Sequence, residues 1–522
     1  MKSKIIKFPE TRKRILIVNC FFDEMRFTVG RNTQVPQAMG PVYLAGAFSP
    51  HACDVRLYNE MSSGPLEDEK LLSWPDMLVL TGLNTAFDRM LHLTAYARTK
   101  NKKVIVVAGG PAIRNLPNLS KQYFDYICLG DVEELQQVIE DTFGKDHVSC
   151  RMSPRYDLAY WMTHFGYAES SRYCNFKCAF CTLTGEGHGY KKYDLEFLRN
   201  QIIGLGKRRE PIVFIDNNFY GNDRQYFLDR LELIKTLRKD GYIKSWSALV
   251  TNDFFYNDNN LALVKDAGCM GLFSGLESFD LEWLRSVNKL QNTRIAQIEM
   301  VRKCLEHGIV FLYGTMLDVT RRHLADLKRE LEFIVDNSEI TLPSYLSIIV
   351  PILGTPVFYE CLEAGLILPS TKLRDLESTT LCVKPLDPLN EVTKFIYEIQ
   401  TLRGYRRKAL LHSWRFYKRY RSYLSNFQMI VALSNAVKIS YQITFNKTAF
   451  PNSLRSRNRR RTHLSTTEIL DRVYKPAFRV ESIYRNYFKP TLLTDETGKI
   501  SKELESDIFQ NRCVSRKSGQ IQ

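Results

Sequence analysis

Over residues 13–145, short apolar runs alternate with helix-length segments of mixed polarity. The runs at 15–18, 55–58, 77–81, 104–108 and 126–129 are almost continuously hydrophobic, the pattern of strands covered on both faces. Stretches such as 88–99 lie between them. This alternation predicts a doubly wound, Rossmann-like parallel sheet over 1–145. Ligands of such sheets bind at the carboxyl ends of the strands. Thr81 and Asn84, Gly109-Gly110-Pro111 and Gly130-Asp131 stand at those ends. A single glycine need only terminate a strand; several at one sheet edge point to a ligand crevice or an interface with the next domain.

Residues 146–166 read as a linker, after which the alternation resumes. Strands are expected over 168–171, 212–216, 245–251, 271–276, 310–316 and 344–350, and helices over 195–205, 225–237, 293–306 and 324–335. Six βα units predict a partial, TIM-like (β/α)6 barrel over 167–385, open where a complete barrel closes. A β-like run at 379–383 follows, and helical patterning begins near Asn390. Residues 386–522 read as a helical, basic and aromatic C-terminal region with a polar, loosely ordered tail. No internal repeat is visible.

The composition, 44% hydrophobic over 522 residues, is ample for several cores. The net charge of +16 is local: from Ile399 to Thr467 there are 15 Lys and Arg and no Asp or Glu, which leaves the remainder near neutral. Trp414, Phe416, Tyr417, Tyr420, Tyr423 and Phe427 interleave there with Arg415, Lys418, Arg419 and Arg421. Such a stretch attracts anionic lipid, phosphate-bearing substrates or RNA; its aromatics suit an interfacial helix, and contact with an anionic membrane surface is expected through 403–461. A solvated basic helix face is the plainer alternative. Confinement of the charge to one region argues against a nucleic-acid protein. No run of about 18 apolar residues suits a membrane span, no signal core opens the chain, and the 12 cysteines are mostly scattered. A reducing cytoplasm fits best.

Only Cys174, Cys178 and Cys181 cluster, in a Cx3Cx2C array with Phe180 before the third sulfur. Three thiolates on one loop leave one iron of a [4Fe–4S] cube open to coordinate a small molecule, as reactive metal sites keep a free position. Zinc would require a second cysteine pair, which the chain lacks, and ferredoxins space their ligands CxxCxxC. The loop directly follows the first expected barrel strand, at the mouth where barrel enzymes place their chemistry.

The run Cys174-Asn-Phe-Lys-Cys178-Ala-Phe180-Cys181 resembles the CxxxCxΦC signature of radical S-adenosylmethionine (SAM) enzymes. Further ordered similarities are Arg155-Tyr-Asp-Leu158, Val213-Phe-Ile-Asp-Asn-Asn-Phe219, Phe273-Ser-Gly-Leu-Glu-Ser278, Val287-Asn-Lys-Leu-Gln-Asn292 and Val350-Pro-Ile-Leu-Gly-Thr-Pro356. They are similar to the subgroup whose N-terminal domain resembles a cobalamin-binding domain, the class B methyltransferases. Departures are Tyr173 where Gly is common, Asn217 for the second Asp of a DDNF segment, Asp131 for Glu, and Leu317-Asp318-Val319 for a GfD strand. No DxHxxG cobalt-ligand signature occurs, and His51 reads as an ordinary loop histidine.

The resemblance implies a [4Fe–4S] cluster on Cys174, Cys178 and Cys181. It implies SAM contacts from Phe180 (adenine), Glu277 (ribose), and Asp216 and Asn218 (methionine amine or substrate), with Asn292 and Thr355 as further candidates. It implies cobalamin near Thr81, Asn84, Gly109, Gly110 and Gly130, and an external electron donor such as flavodoxin or ferredoxin. In the implied scheme one SAM methylates cob(I)alamin. A second yields a 5′-deoxyadenosyl radical that activates a carbon or phosphorus centre of a small-molecule or lipid substrate for methylation. Alternatives are radical cyclisation, oxidation or rearrangement without methyl transfer, an RNA methylthiotransferase, and a non-enzymatic iron–sulfur protein. The methylthiotransferase would need three further cluster cysteines; Cys20 and Cys53 are present, but Asn84 occupies the third region.

Overall fold

The computed structural model describes residues 12–21, 38–162, 165–207, 211–376, 378, 380–401, 405–434 and 474–509. The chain folds into two compact units, one from 1–163, 369–377 and 470–522, the other from 164–368 and 378–469.

The first unit is built on five parallel strands: β1 (Lys13–Asn19), β2 (Cys53–Asn59), β3 (Met77–Thr81), β4 (Ile105–Gly109) and β5 (Tyr126–Cys128). Their order is β2-β1-β3-β4-β5. Strand order reverses between β1 and β3, so the crevice of this flavodoxin-like arrangement lies at their carboxyl ends. Ile15, Leu16, Ile17 and Val18 are wholly buried, as a strand covered on both faces requires.

The helix Phe87–Lys100 is buried along almost its whole length, because a remote segment covers it. His92 stacks on Phe488 and meets Tyr474 edge-on, both with centroids at 4.6 Å, and Tyr96 packs on Phe478. Asp88 accepts hydrogen bonds from Tyr474 Oη at 2.9 Å and Thr491 Oγ1 at 2.6 Å, and burial raises its pKa. Asp507, also buried, accepts from the amides of Asn118 and Leu119. The expected single C-terminal region 386–522 therefore divides. Residues 474–509 complete the first unit, and Leu493, Leu504 and Ile508 of the expected loose tail are buried.

The second unit opens with β6 (Gly166–Ala168), followed by a small antiparallel pair, β7 (Ser171–Arg172) and β8 (Lys191–Lys192). Then come β9 (Ile212–Phe214), β10 (Trp246–Leu249), β11 (Cys269–Glu277), β12 (Val310–Leu317) and β13 (Tyr345–Ile348). Strands β6, β9, β10, β11, β12 and β13 form one parallel sheet in that order, a half-barrel with two unjoined edges. The expected strand 168–171 breaks after Ala168, where the chain turns into the β7–β8 pair. The run 379–383 contributes only an isolated bridge, Ile367 with Val383.

The helix Arg406–Tyr420 and the segment to Ser434 pack into this unit rather than standing apart: Phe416, Tyr420, Leu424, Met429 and Ala432 join the barrel core. Gln428 donates to Met270 O at 2.9 Å and Gly308 O at 2.7 Å, fastening the segment beneath the N-terminal ends of β11 and β12. The basic stretch 435–467 lies outside the described residues. Among the described residues, no helix is long and apolar enough to cross a membrane, and none of the eleven cysteines is in a disulfide.

Candidate functional site

The loop 173–181 follows β7 at the carboxyl end of the half-barrel sheet. It enters through Tyr173, whose backbone is left-handed (φ 65°) and whose N–H donates to Asn217 Oδ1 at 3.0 Å. Other elements then grip its backbone. Ala179 donates to Val287 O at 2.9 Å and accepts from Val357 N at 3.1 Å, and Asn288 Nδ2 donates to Lys177 O at 2.7 Å. Gly185, in the short helix Thr182–Glu186, lies so near Gly354 that a Cβ would sit 2.7 Å from its carbonyl.

Cys178 is buried and its sulfur accepts from Gln291 Nε2 at 3.5 Å; Cys174 accepts from Phe176 N at 3.5 Å. Burial pushes the Cys174 thiol up to about 12, and burial with the neighbouring Cys178 raises Cys181. Among the described residues, no three His, Cys, Asp or Glu side chains converge as they would around a single ion. A cube that takes one thiolate per iron spreads its ligands instead.

Two predicted cofactor residues have other work. Asp216 is wholly buried, accepts from Ser170 N at 3.1 Å, from Ser170 Oγ and from Ser171 Oγ, and faces Arg230 at 3.5 Å. Arg230, itself fully buried, donates to Ser170 Oγ at 2.8 Å and to Phe219 O. Asp216 thus ties the start of the cysteine loop to the helix Arg224–Lys239. Asn218 is also fully buried; it donates to Asn175 Oδ1 at 2.7 Å and accepts from Thr251 N at 3.3 Å. Thr355 caps the helix Pro356–Glu363, accepting from Phe358 N at 3.2 Å. Asp216, Asn218 and Thr355 thus each make bonds that build the frame around the cysteine loop.

Glu277, Phe180 and Asn292 stay with the cysteines. Glu277 ends β11 with φ 64°, a left-handed backbone at a bulge in the β11–β12 pairing. Its Oε1 accepts from Lys289 Nζ at 2.9 Å, and that ammonium lies 5.5 Å over the Phe180 ring. Phe180 stacks on Trp283 with centroids 6.4 Å apart, and Trp283 Nε1 donates to Asp318 Oδ2 at 2.9 Å. Asn292 donates to the carbonyls of Gly275 and Leu276. Its Oδ1 and Gln291 Oε1 are buried without a hydrogen-bond partner, an arrangement that costs free energy unless a donor arrives.

Lys289, Gln291, Trp283 and Asp253 had not been singled out in the sequence. Asp253, in the turn after β10, is held at about 6 mainly by burial; such shifts mark groups suited to proton work. The Asn-Lys-x-Gln-Asn run contained two of the missed residues. A cavity of about 910 Å³ at the opposite, N-terminal end of the strands, lined by Phe165, Arg238, Lys244 and Phe427 among others, contains none of the predicted site residues.

In the first unit, the predicted crevice residues share the carboxyl edge of the sheet. A Cβ on Gly110 (φ 99°) would lie 2.9 Å from Gly82 O, so close backbone approach requires glycine there. Gly130 N donates to Glu134 Oε2, and Arg114 donates to Gly130 O at 2.7 Å. Asn84 is buried with Oδ1 unpartnered, while Leu83 is 57% exposed and Leu129 40%. His51 is exposed at the opposite end, before β2. Cys20 follows β1 whereas Cys53 begins β2. The parallel register of these strands separates the two sulfurs by about 20 Å. They cannot share a cluster, which removes the structural basis of the methylthiotransferase reading.

The family model described as "Radical SAM superfamily" matches residues 169–331, the stretch that contains the cysteine loop and β9 to β12. An uncharacterized methyltransferase of Synechocystis is 23% identical over 74% of this chain and 74% of its own. The bacteriochlorophyllide d C-8(2)-methyltransferase of Chlorobaculum tepidum is 24% identical over 56% of this chain and 69% of its own. The cobalamin-dependent SAM radical enzyme OxsB, solved with aqua-cobalamin and SAM, is similar in fold across 98% of this chain and 80% of its own, with a TM-score of 0.57 and 15% identity. Loop placement, half-barrel and family match coincide on the same residues, and the stretch 169–331 carries a radical SAM domain.

Proposed function

We propose that this enzyme is cobalamin-dependent and methylates an unactivated carbon, or phosphorus, of a small-molecule or lipid substrate. The observation that carries the reading is the union in one chain of a cysteine loop at a half-barrel mouth with a β2-β1-β3-β4-β5 sheet edged by glycines and the unpartnered Asn84. Relatives are named as methyltransferases, one with its methylated carbon stated.

Cys174, Cys178 and Cys181 would hold the [4Fe–4S] cluster, and Thr81, Asn84, Gly109, Gly110 and Gly130 would hold cobalamin. When bound, these groups supply one-electron cleavage of SAM and a transferable methyl, the chemistry side chains cannot provide. The chain's own residues bind and orient. Glu277, fixed by Lys289, would accept ribose hydroxyl bonds; Phe180 would face the adenine; Asn292 Oδ1 and Gln291 Oε1 would receive donors from SAM. Asp253 would accept a proton at the mouth. Reduction would come from an external donor such as flavodoxin or ferredoxin.

The test is anaerobic reconstitution with both cofactors, a chemical reductant and SAM. Formation of both S-adenosylhomocysteine and 5′-deoxyadenosine is expected. 5′-Deoxyadenosine alone excludes methyl transfer and establishes the second reading, a radical rearrangement or oxidation.

A further inference from the structure

The helix Arg406–Tyr420 presents apolar surface on two opposite sides. Ala409, His412, Phe416 and Tyr420 are buried against the half-barrel. Roughly opposite lie Leu410, Leu411, Trp414 and Tyr417, which are 51%, 46%, 55% and 45% exposed. At about 100° per residue, Leu410, Trp414 and Tyr417 fall within about 60° of one another, a single stripe. The exposed apolar surface continues through Tyr423, Phe427 and Ile430, the last 67% exposed. An amphipathic helix of a soluble protein has one apolar face, turned inward; this helix has a second.

The charge around the stripe is of one sign. Lys408 and Arg419 are engaged with Asp336 and Glu339 of the same unit. Arg407, Arg415, Lys418 and Arg421 have no carboxylate partner among the described residues, and Lys418 Nζ lies 3.6 Å over the Trp414 ring. No acidic residue interrupts Ile399 to Thr467. Leu, Trp and Tyr interleaved with unpaired Arg and Lys, whose long apolar stems can carry their charges out to the phosphates, match the composition of a bilayer interface: acyl chains, headgroup region and lipid phosphates. A nucleic acid would use the cations but leave Leu410, Leu411 and Ile430 without a role. The segment 435–473 is itself basic.

We propose that this face docks onto anionic lipid bilayers. The inference stands independently of methyl transfer. Gln428 fastens the docking segment at the N-terminal ends of β11 and β12, whereas the cysteine loop lies at the carboxyl ends of the sheet. Docking would hold the enzyme at a membrane without pressing the cysteine mouth into it.

The experiment sediments the full-length reconstituted protein with phosphatidylcholine vesicles, with and without about 30% phosphatidylglycerol. Two variants follow, Leu410→Ser/Trp414→Ser/Tyr417→Ser and Arg407→Gln/Arg415→Gln/Lys418→Gln/Arg421→Gln. Binding to the anionic vesicles only, weakened roughly tenfold or more in each variant, is expected. Variants that sediment like the parent, equal binding to neutral vesicles, or capture of RNA in place of vesicles would overturn the proposal. Should a variant misfold, quenching of Trp414 by brominated acyl chains, measured against Trp414→Phe, decides: no Trp414-dependent quenching overturns docking, including the case in which residues 435–473 cover the face.

Discussion

Lys289 places its ammonium 2.9 Å from Oε1 of Glu277, joining the turn after the helix Leu281–Ser286 to the last residue of β11. Both side chains are nearly dry. Burial alone would lower the lysine pKa, but Glu277 and the thiols of Cys178 and Cys181 outweigh it and hold it raised. Replacing one partner leaves the other charge buried and alone. Lys289→Met should destabilise the second unit by about 3–5 kcal/mol, read from urea unfolding. It should also weaken SAM binding, with Lys289→Arg recovering part of both. Unchanged SAM affinity in a folded Lys289→Met protein would remove Glu277 from the proposed site.

The approach of Gly185 to Gly354 makes the short helix after the cysteines sensitive to one methyl group. Gly185→Ala forces a Cβ to within 2.7 Å of a carbonyl that cannot swing away. Overpacking of this kind costs about 1–3 kcal/mol. The expected result is lowered iron retention after reconstitution at ordinary folding yield; full iron retention would mean that the loop grip is not needed to hold the cluster.

Asp253 gives a pH signature. Its pKa rises from 3.8 to about 6, mainly by burial, while the Thr251 hydroxyl opposes the shift. A carboxyl whose folded pKa lies above its unfolded value contributes stability that is complete below about pH 4 and is lost as pH rises through 6. Asp253→Asn should therefore stabilise the protein above pH 6, by about 1–2 kcal/mol after allowance for partial solvation, and change little near pH 4. Thermal midpoints at both ends of that range check the sign.

Phe488 is buried to 1% exposure against His92 and Tyr96. Phe488→Ala should cost about 3–5 kcal/mol. The loss should show as faster amide exchange in the helix Phe87–Lys100, with the half-barrel amides unaffected. Exchange that is unchanged in this helix would place 474–509 outside the first unit's core.

The sequence made the strands legible to within a few residues, because near-continuous runs such as 77–81 and 310–316 have few other uses in a folded chain. The cysteine loop was legible for the same reason of local spacing. The ion pair of Asp216 with Arg230 was not legible, because Arg230 lies on a helix whose pattern gives no sign that an arginine there is fully buried. Asp253 and Lys289 were missed because burial of a charged group depends on elements distant in sequence. The covering of Phe87–Lys100 was invisible because Tyr474, Phe478 and Phe488 sit among prolines and charges with no periodicity.

The bond from Thr491 to Asp88 spans 403 residues. At about 5–20 residues per second, a ribosome takes roughly 20–80 s to deliver the second partner after the first. During that interval every residue of the half-barrel has already emerged, while the buried carboxyl of Asp88 and the rings of His92 and Tyr96 still lack their cover. The domain that is synthesised first is therefore the one that is finished last, and it waits on translation for its final layer.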